Sequence, residues 1–293
     1  MEVDFIKSKL VASKKIVIPE EDFLLMELFT KQEELMDKYV SKGSLPQYPF
    51  KEIDSKKNQS FIRELISRVT EELTESYQQR TVILANYTSN TSIREVGASV
   101  FGLAEEIGDT LHFFIELLIY CKVTFQTLSY HIAKQCSERG IILSNPTWEL
   151  YYAIEVGKNA FKETHHTTSI TDTRITGYAF GHKQVMDIWT TAYPALLDVA
   201  DGGYHINPKT LDIEAQQCWL ITMNLYWAQN LLKNKAWKET GVETNIPVFQ
   251  ERLMDTFLLY LGYLAYLGYT QKSIYSCYAY KNVINHKRIS EKY

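Results

Sequence analysis

The chain has 293 residues, of which 45% are hydrophobic and 23% charged, with only 13 glycines and 7 prolines. That balance excludes a disordered chain, and the scarcity of breakers argues against a loop-rich all-β fold. A net charge of −4 with no long basic run sets nucleic acid aside as a partner. Cys121, Cys136, Cys218 and Cys277 show no CxxC spacing. They read as buried thiols of a reducing compartment rather than a disulfide or zinc framework. The N-terminus is mixed and charged, so no secretory leader is expected. The longest apolar run, "TFLLYLGYLAYLGYT" (256–270), is shorter than the ~20 residues of a membrane span and reads as a buried bundle helix. A cytoplasmic location is expected, with no membrane partner.

In chain order, helical periodicity first appears over 21–42, which carries "KQEEL" with Gln32. The next periodic segment, 58–80, contains "EELTE". Its Glu72 and Glu75 are three apart, and Glu72 follows Leu65 and Val69 along an apolar stripe. The third, 97–121, contains "LAEEIGDTLHFFIELLIY". Here Glu106 and Asp109 are again three apart, with His112 three further on. Glu106 follows Leu103, and Asp109 leads on to Phe113. Side chains at i and i+3 share a helix face, so both acid pairs lie along core-facing stripes. Four inward carboxylates would repel one another and lose hydration, so something must neutralise them; the other reading of the pairs is a solvated acidic face. Oxygen-only ligands point to Mg²⁺. Glu71 and Glu105 point elsewhere and are expected to be solvated.

A helix over 125–140 follows. Gly140, Pro146 and the Thr/Ser-rich "THHTTSITDTRITG" then break the pattern, with His165 and His166 expected in a solvated loop. Helical periodicity resumes over 183–200, 212–233, 246–268 and 271–290. The second half parallels the first. Glu105, Asp109, Thr110, Tyr120 and Thr124 align without gaps on Glu251, Asp255, Thr256, Tyr266 and Thr270. This predicts a tandem duplication: a first helical repeat over 1–140, a connecting segment over 141–182 and a second repeat over 183–293. The repeats do not carry the same chemistry. Asn224, Trp227, Arg252 and Asp255 stand where the first half has its four acids, and Leu258 stands in the place of His112.

The combination of ExxE, then ExxD followed by His, with "KQEEL", "KAWK" and "YKNVINHKR", resembles the all-α nucleotide pyrophosphatases of the MazG-like superfamily. It is most similar to their dimeric dUTPase and phage dCTPase/dUTPase branch. The resemblance implies an all-α helical bundle built from two tandem MazG/dUTPase-like repeats. It also implies Mg²⁺-dependent hydrolysis of dUTP or dCTP to the monophosphate and pyrophosphate. Glu72, Glu75, Glu106 and Asp109 would then hold metal and serve catalysis. Gln32, His112, Trp237, Lys238, Lys281, Asn285 and Arg288 would bind substrate. Ordinary packing stays open for Trp237 and His112, a helix-surface role for Gln32, and helix-end covering for Lys281 and Arg288. The family carries one full set of these groups in a single unit. Here the acids lie in the first half and the basic helix in the second, which predicts one composite site in a monomeric pseudo-dimer or a homodimer. The source could be viral, in which case the compartment is the host cytoplasm. The alternative is a non-catalytic nucleotide-binding or interaction protein derived from the same fold.

Overall fold

The computed structural model describes residues 23–88, 93–145, 148–165, 208–235, 237 and 241–291. Among them are eight helices and no strand: α1 Leu24–Ser41, α2 Lys56–Thr88, α3 Ile93–Tyr120, α4 Phe125–Glu138, α5 Glu149–His165, α6 Pro208–Leu231, α7 Ile246–Tyr266 and α8 Gln271–Ser290. The all-α expectation therefore holds for the described residues. The expected helix over 183–200 lies outside them. No single helix among them is long and apolar enough to cross a membrane. In the stretch read as connecting, the structure has a full helix, α5, which runs through His165. Leu150, Tyr152, Ala153, Ile154, Val156 and Phe161 are buried along it. It lies between Gly140 and Pro146 on one side and the Thr/Ser-rich stretch on the other, the breakers that make the whole segment read as a connection.

Local chemistry sets the helix ends. Thr124 caps α4 by accepting from the Thr127 N–H at 3.2 Å. Asn245 caps α7 through the Val248 N–H, and Pro247 sits in its first turn where no amide is needed. Thr270 and Ser273 form a reciprocal capping box on α8. The α3–α4 and α7–α8 turns share one geometry. Lys122 N–H reaches Ile119 O at 3.0 Å and Val123 N–H reaches Leu118 O at 2.9 Å. Gly268 N–H and Tyr269 N–H reach Ala265 O and Leu264 O, each at 3.0 Å. Lys122 and Gly268 both take positive φ, the left-handed conformation that closes a helix C-terminus.

Helices α2 and α3 pack antiparallel along their length, with Gln79 against Gly102 near one end and Glu72 beside Glu106 further along. α7 packs on α5 and α6, and α8 lies across α1 and α3. One apolar core joins them, containing the fully buried rings of Tyr120, Tyr260, Tyr263, Tyr275 and Tyr278. Arg80 on α2 clasps Glu214 on α6 with two hydrogen bonds of 3.1 and 2.6 Å, both side chains being buried. Gln59 and Asp54 grip the segment before α7 through Asn234 and Thr244. The crossing of α5 and α7 is tighter still. A Cβ on Gly157 would lie 2.0 Å from the Leu258 carbonyl oxygen, and one on Gly262 would lie 2.4 Å from the Gly157 carbonyl carbon. Backbone cannot yield as a side-chain tip can. Gly157→Ala should therefore destabilise the protein by about 1–3 kcal/mol or more, seen as a lowered thermal midpoint by circular dichroism. An unchanged midpoint would mean that the two helices do not cross there.

Candidate functional site

The acid stripes of α2 and α3 meet. Glu72, Glu106 and Asp109 each offer an oxygen within 4.8 Å of the other two. The structure does not add Glu75 to this triad: one turn on from Glu72, its side chain is exposed at the rim. Its charge still reaches inward and raises the pKa values of Glu72 and Glu106. The convergence expected of four acids is thus a convergence of three with the fourth outside. Glu71 is exposed as expected, whereas Glu105 accepts from the Tyr280 hydroxyl at 3.5 Å.

Crowding leaves a clear electrostatic mark. Burial, then the charges of Asp109, Glu106 and Glu75, push Glu72 up to about 8 against the pull of Lys281. Burial and the neighbouring acids also raise Glu106. Burial raises Asp109, although Lys281 and Arg288 pull the other way. Lys281 comes from α8 and sets its ammonium 2.5 Å from Asp109 Oδ2. Gly108 makes this possible: a Cβ there would lie 2.7 Å from the Cys277 carbonyl oxygen and 3.0 Å from Lys281 Cβ. Lys281 is the chain's own counter-charge in the cluster.

The cluster opens into a cavity of about 370 Å³ whose lining includes Gln32, Glu72, Asp109, His112, Asn285 and Arg288. Four elements contribute to it: α1, α2, α3 and α8. His112 is buried, and its Nδ1 lies 2.7 Å from Gln32 Oε1. The Tyr278 hydroxyl donates to the same oxygen at 3.0 Å, and the Tyr278 ring stacks on the imidazole at a centroid distance of 4.1 Å. Burial, with help from Lys281, drives His112 down to about 3, so the ring is neutral. A neutral ring has a single N–H, and its two nitrogens face the Gln32 carbonyl oxygen at 2.7 Å and the Tyr278 carbonyl at 3.3 Å, so the ring donates to one of the two. Gln32 is buried too, so its amide is a fixed part of the wall rather than a helix-surface group.

Trp237 is not part of this cavity. Its ring is 76% exposed, in a turn, with the Lys235 ammonium 5.2 Å above it. Lys238 lies outside the described residues. Asn285 and Arg288, one turn apart on α8, do line the cavity. Among the lining groups that the sequence did not single out as site residues are Tyr39, Arg68 and Glu116. Arg68 precedes Glu72 by four residues and Glu116 follows Asp109 by seven, so helical spacing carried a signal for both.

The matching surface of the second half is different. Asp255 accepts from His131 Nε2 at 2.8 Å, Lys134 pairs with Glu251 at 3.1 Å and Arg252 donates to Asn224 at 3.4 Å. Each acid there already has a basic partner. No protein-family model matches this chain, and neither the curated proteins nor the solved structures contain a match to it.

The raised acids set a pH dependence for the metal-free protein. Glu72 keeps its proton up to about pH 8 when folded but releases it in the ordinary carboxylate range when unfolded. The folded state therefore binds the extra proton between those limits, and stability falls as pH rises through the window. The depressed His112 acts with opposite sign, but only below its ordinary value of 6.5. In EDTA the thermal midpoint should fall from about pH 6.5 to 8, and Glu72→Gln should shallow that fall. A midpoint that rises over this range would mean that the acids are not crowded.

Proposed function

We propose that the chain is a Mg²⁺-dependent pyrophosphatase of a pyrimidine deoxynucleoside triphosphate, dUTP or dCTP, built as a tandem-duplicated helical unit of the MazG-like kind. The observation that carries this reading is the meeting of three carboxylates from two helices, two of them lining one cavity, with the cationic face of a third helix. The donor set fits a hard divalent ion: oxygens only, too crowded to remain charged without a counter-ion, and open to a cavity that leaves room for water and phosphate. Glu72, Glu106 and Asp109 would hold it, with Glu75 at the rim. When bound, such an ion supplies charge neutralisation for the triphosphate and acidifies a coordinated water.

The chain's own groups do the rest. Arg288 forks onto phosphate oxygens at the cavity mouth, and Lys281 turns from Asp109 towards them. One of the acids accepts the proton of the attacking water. Water adds at the α-phosphorus, and the bond from that phosphorus to the bridging oxygen breaks. The monophosphate and pyrophosphate leave. Gln32, His112 and Asn285 line the end that takes the nucleoside. The two similar helix turns, Lys122–Thr124 and Gly268–Thr270, support the duplication. Its second copy would have traded metal chemistry for the closed pairs at Asp255, Glu251 and Arg252.

One observation favours the non-catalytic alternative. Lys281 already neutralises Asp109, as a site that had given up its metal would. A panel of deoxynucleoside triphosphates, assayed for pyrophosphate release with Mg²⁺ and with EDTA, separates the two. The enzyme reading expects release from a pyrimidine triphosphate only with Mg²⁺; nucleotide binding without release supports the alternative. Asp109→Asn should lower kcat by about a hundredfold or more, while Asp255→Asn leaves it within severalfold. Arg288→Ala should raise KM about tenfold or more with the fold intact, the loss of one charge-assisted contact. Equal losses from both aspartate variants would mean two working sites.

A further inference from the structure

The chain brings a cation of its own to the three acids. Lys281 sets its ammonium 2.5 Å from Asp109 Oδ2, and its side chain is only 9% exposed. Its charge pulls on Glu72 and Glu106 as well as on Asp109. A surface lysine swings away from a partner at little cost. This one is held against α3 at Gly108, where its Cβ lies 3.0 Å from the place a glycine Cβ would take. Leaving Asp109 would strand a buried ammonium, and a buried charge without a partner is costly.

A metal ion held by the same three acids meets this charge. Two cations on one carboxylate repel each other, more strongly where burial lowers the dielectric. The ion therefore binds beside an opposing ammonium or drives it from Asp109, and both are unfavourable while the ammonium has nowhere to go. Helix α8 shows what would receive it. Arg288 stands seven residues beyond Lys281, two turns along the same face. It lines the cavity, and its charge already reaches Asp109. A phosphate seated against Arg288 lies on the side of Lys281 as well, and offers the ammonium the anion it gives up at Asp109.

We propose that Lys281 is a latch that couples the divalent ion to phosphate: it holds Asp109 while the cavity is empty and releases it to the metal when a phosphate group arrives. The ion then binds weakly alone and tightly with the anion. The coupling is reciprocal, so the ion strengthens phosphate binding by the same factor. The latch has a signature that an ordinary phosphate-binding lysine lacks. Removing Lys281 weakens phosphate binding but strengthens metal binding, because the competing charge at Asp109 is gone.

This inference rests on the metal-and-phosphate reading of the cavity, and binding without catalysis tests it separately. Mn²⁺, a hard ion that accepts the same oxygen ligands, is titrated into the metal-free full chain at fixed pH, and the free ion is read by electron paramagnetic resonance. Inorganic phosphate is the anion, since it binds Mn²⁺ only weakly in solution and carries no base. Without phosphate, Lys281→Met is expected to bind Mn²⁺ at least about tenfold more tightly than the wild type. Phosphate should tighten the wild type at least about fivefold, and that factor should shrink about threefold or more in the variant. Circular dichroism checks the variant's fold, and the wild-type comparison with and without phosphate needs no variant. A folded Lys281→Met that binds Mn²⁺ no better than the wild type would overturn the latch. So would a wild type indifferent to phosphate, whose ammonium then has another acid to turn to. The expected binding pattern with no pyrophosphate release from any triphosphate in Mg²⁺ would instead overturn the enzyme reading and leave the latch standing. Mn²⁺ bound in no arm would sink both.

Discussion

Asp109 and Lys281 lie far apart in the sequence, and the contact between them organises the site. The ion pair needs α8 pressed against α3, and α3 admits it only at Gly108, where any side chain would meet the Cys277 carbonyl. That single crossing sets the register of α8 beyond it. Tyr278 lands on His112, and Asn285 and Arg288 reach the cavity lining. A buried ion pair is poor evidence for stability by itself, because desolvation offsets most of the attraction. Its worth here is registry: of the positions α8 could take along α3, one gives Asp109 its partner.

The pair also leaves the cluster short of positive charge. One ammonium faces three converging carboxylates with a fourth nearby, and Glu72 stays raised in spite of it. The second half makes the contrast visible. Asp255, Glu251 and Arg252 each have a hydrogen-bonding partner in His131, Lys134 and Asn224, so the acids of that surface are held by basic side chains rather than by one another. Two stretches that end in the same turn geometry therefore differ in whether their acids are satisfied from within. The unsatisfied one is where an added cation would bring the larger gain.

Much of this could be read before the fold. The 3.6-residue periodicity marked most helices, and the spacing of Glu72, Glu106 and Asp109 along apolar stripes pointed to the cluster. Glu75 shares that spacing but not the burial: the packed face of α2 continues through Ser76 and Gln79, and the three-residue step from Glu72 turns Glu75 off that face. Helix α5 escaped because it lies between breakers, Gly140 and Pro146 before it and a Thr/Ser-rich stretch after it, and because its tight partner contact is made through Gly157, which carries no side chain to mark it. The Arg80–Glu214 clasp joins residues 134 positions apart, and no local pattern announces it. Trp237 was legible only as a type of residue. Its position in an exposed turn depends on how Asn234 and Thr244 are held by Asp54 and Gln59.

His112 explains why the two acidic ends of the cavity stay distinct. It stands three residues from Asp109 and four from Glu116, and a charged imidazolium there would serve both. Burial forbids it, and the Lys281 and His286 side chains oppose it further. Stacked under Tyr278 and bonded to Gln32, the ring contributes shape and a fixed N–H rather than charge. The triad must therefore find its positive charge in Lys281, Arg288 or an ion. A neutral spacer thus keeps the crowded acids around Asp109 electrically apart from the buried carboxyl of Glu116, about two turns of helix further on, which has Arg68 as its counter-charge.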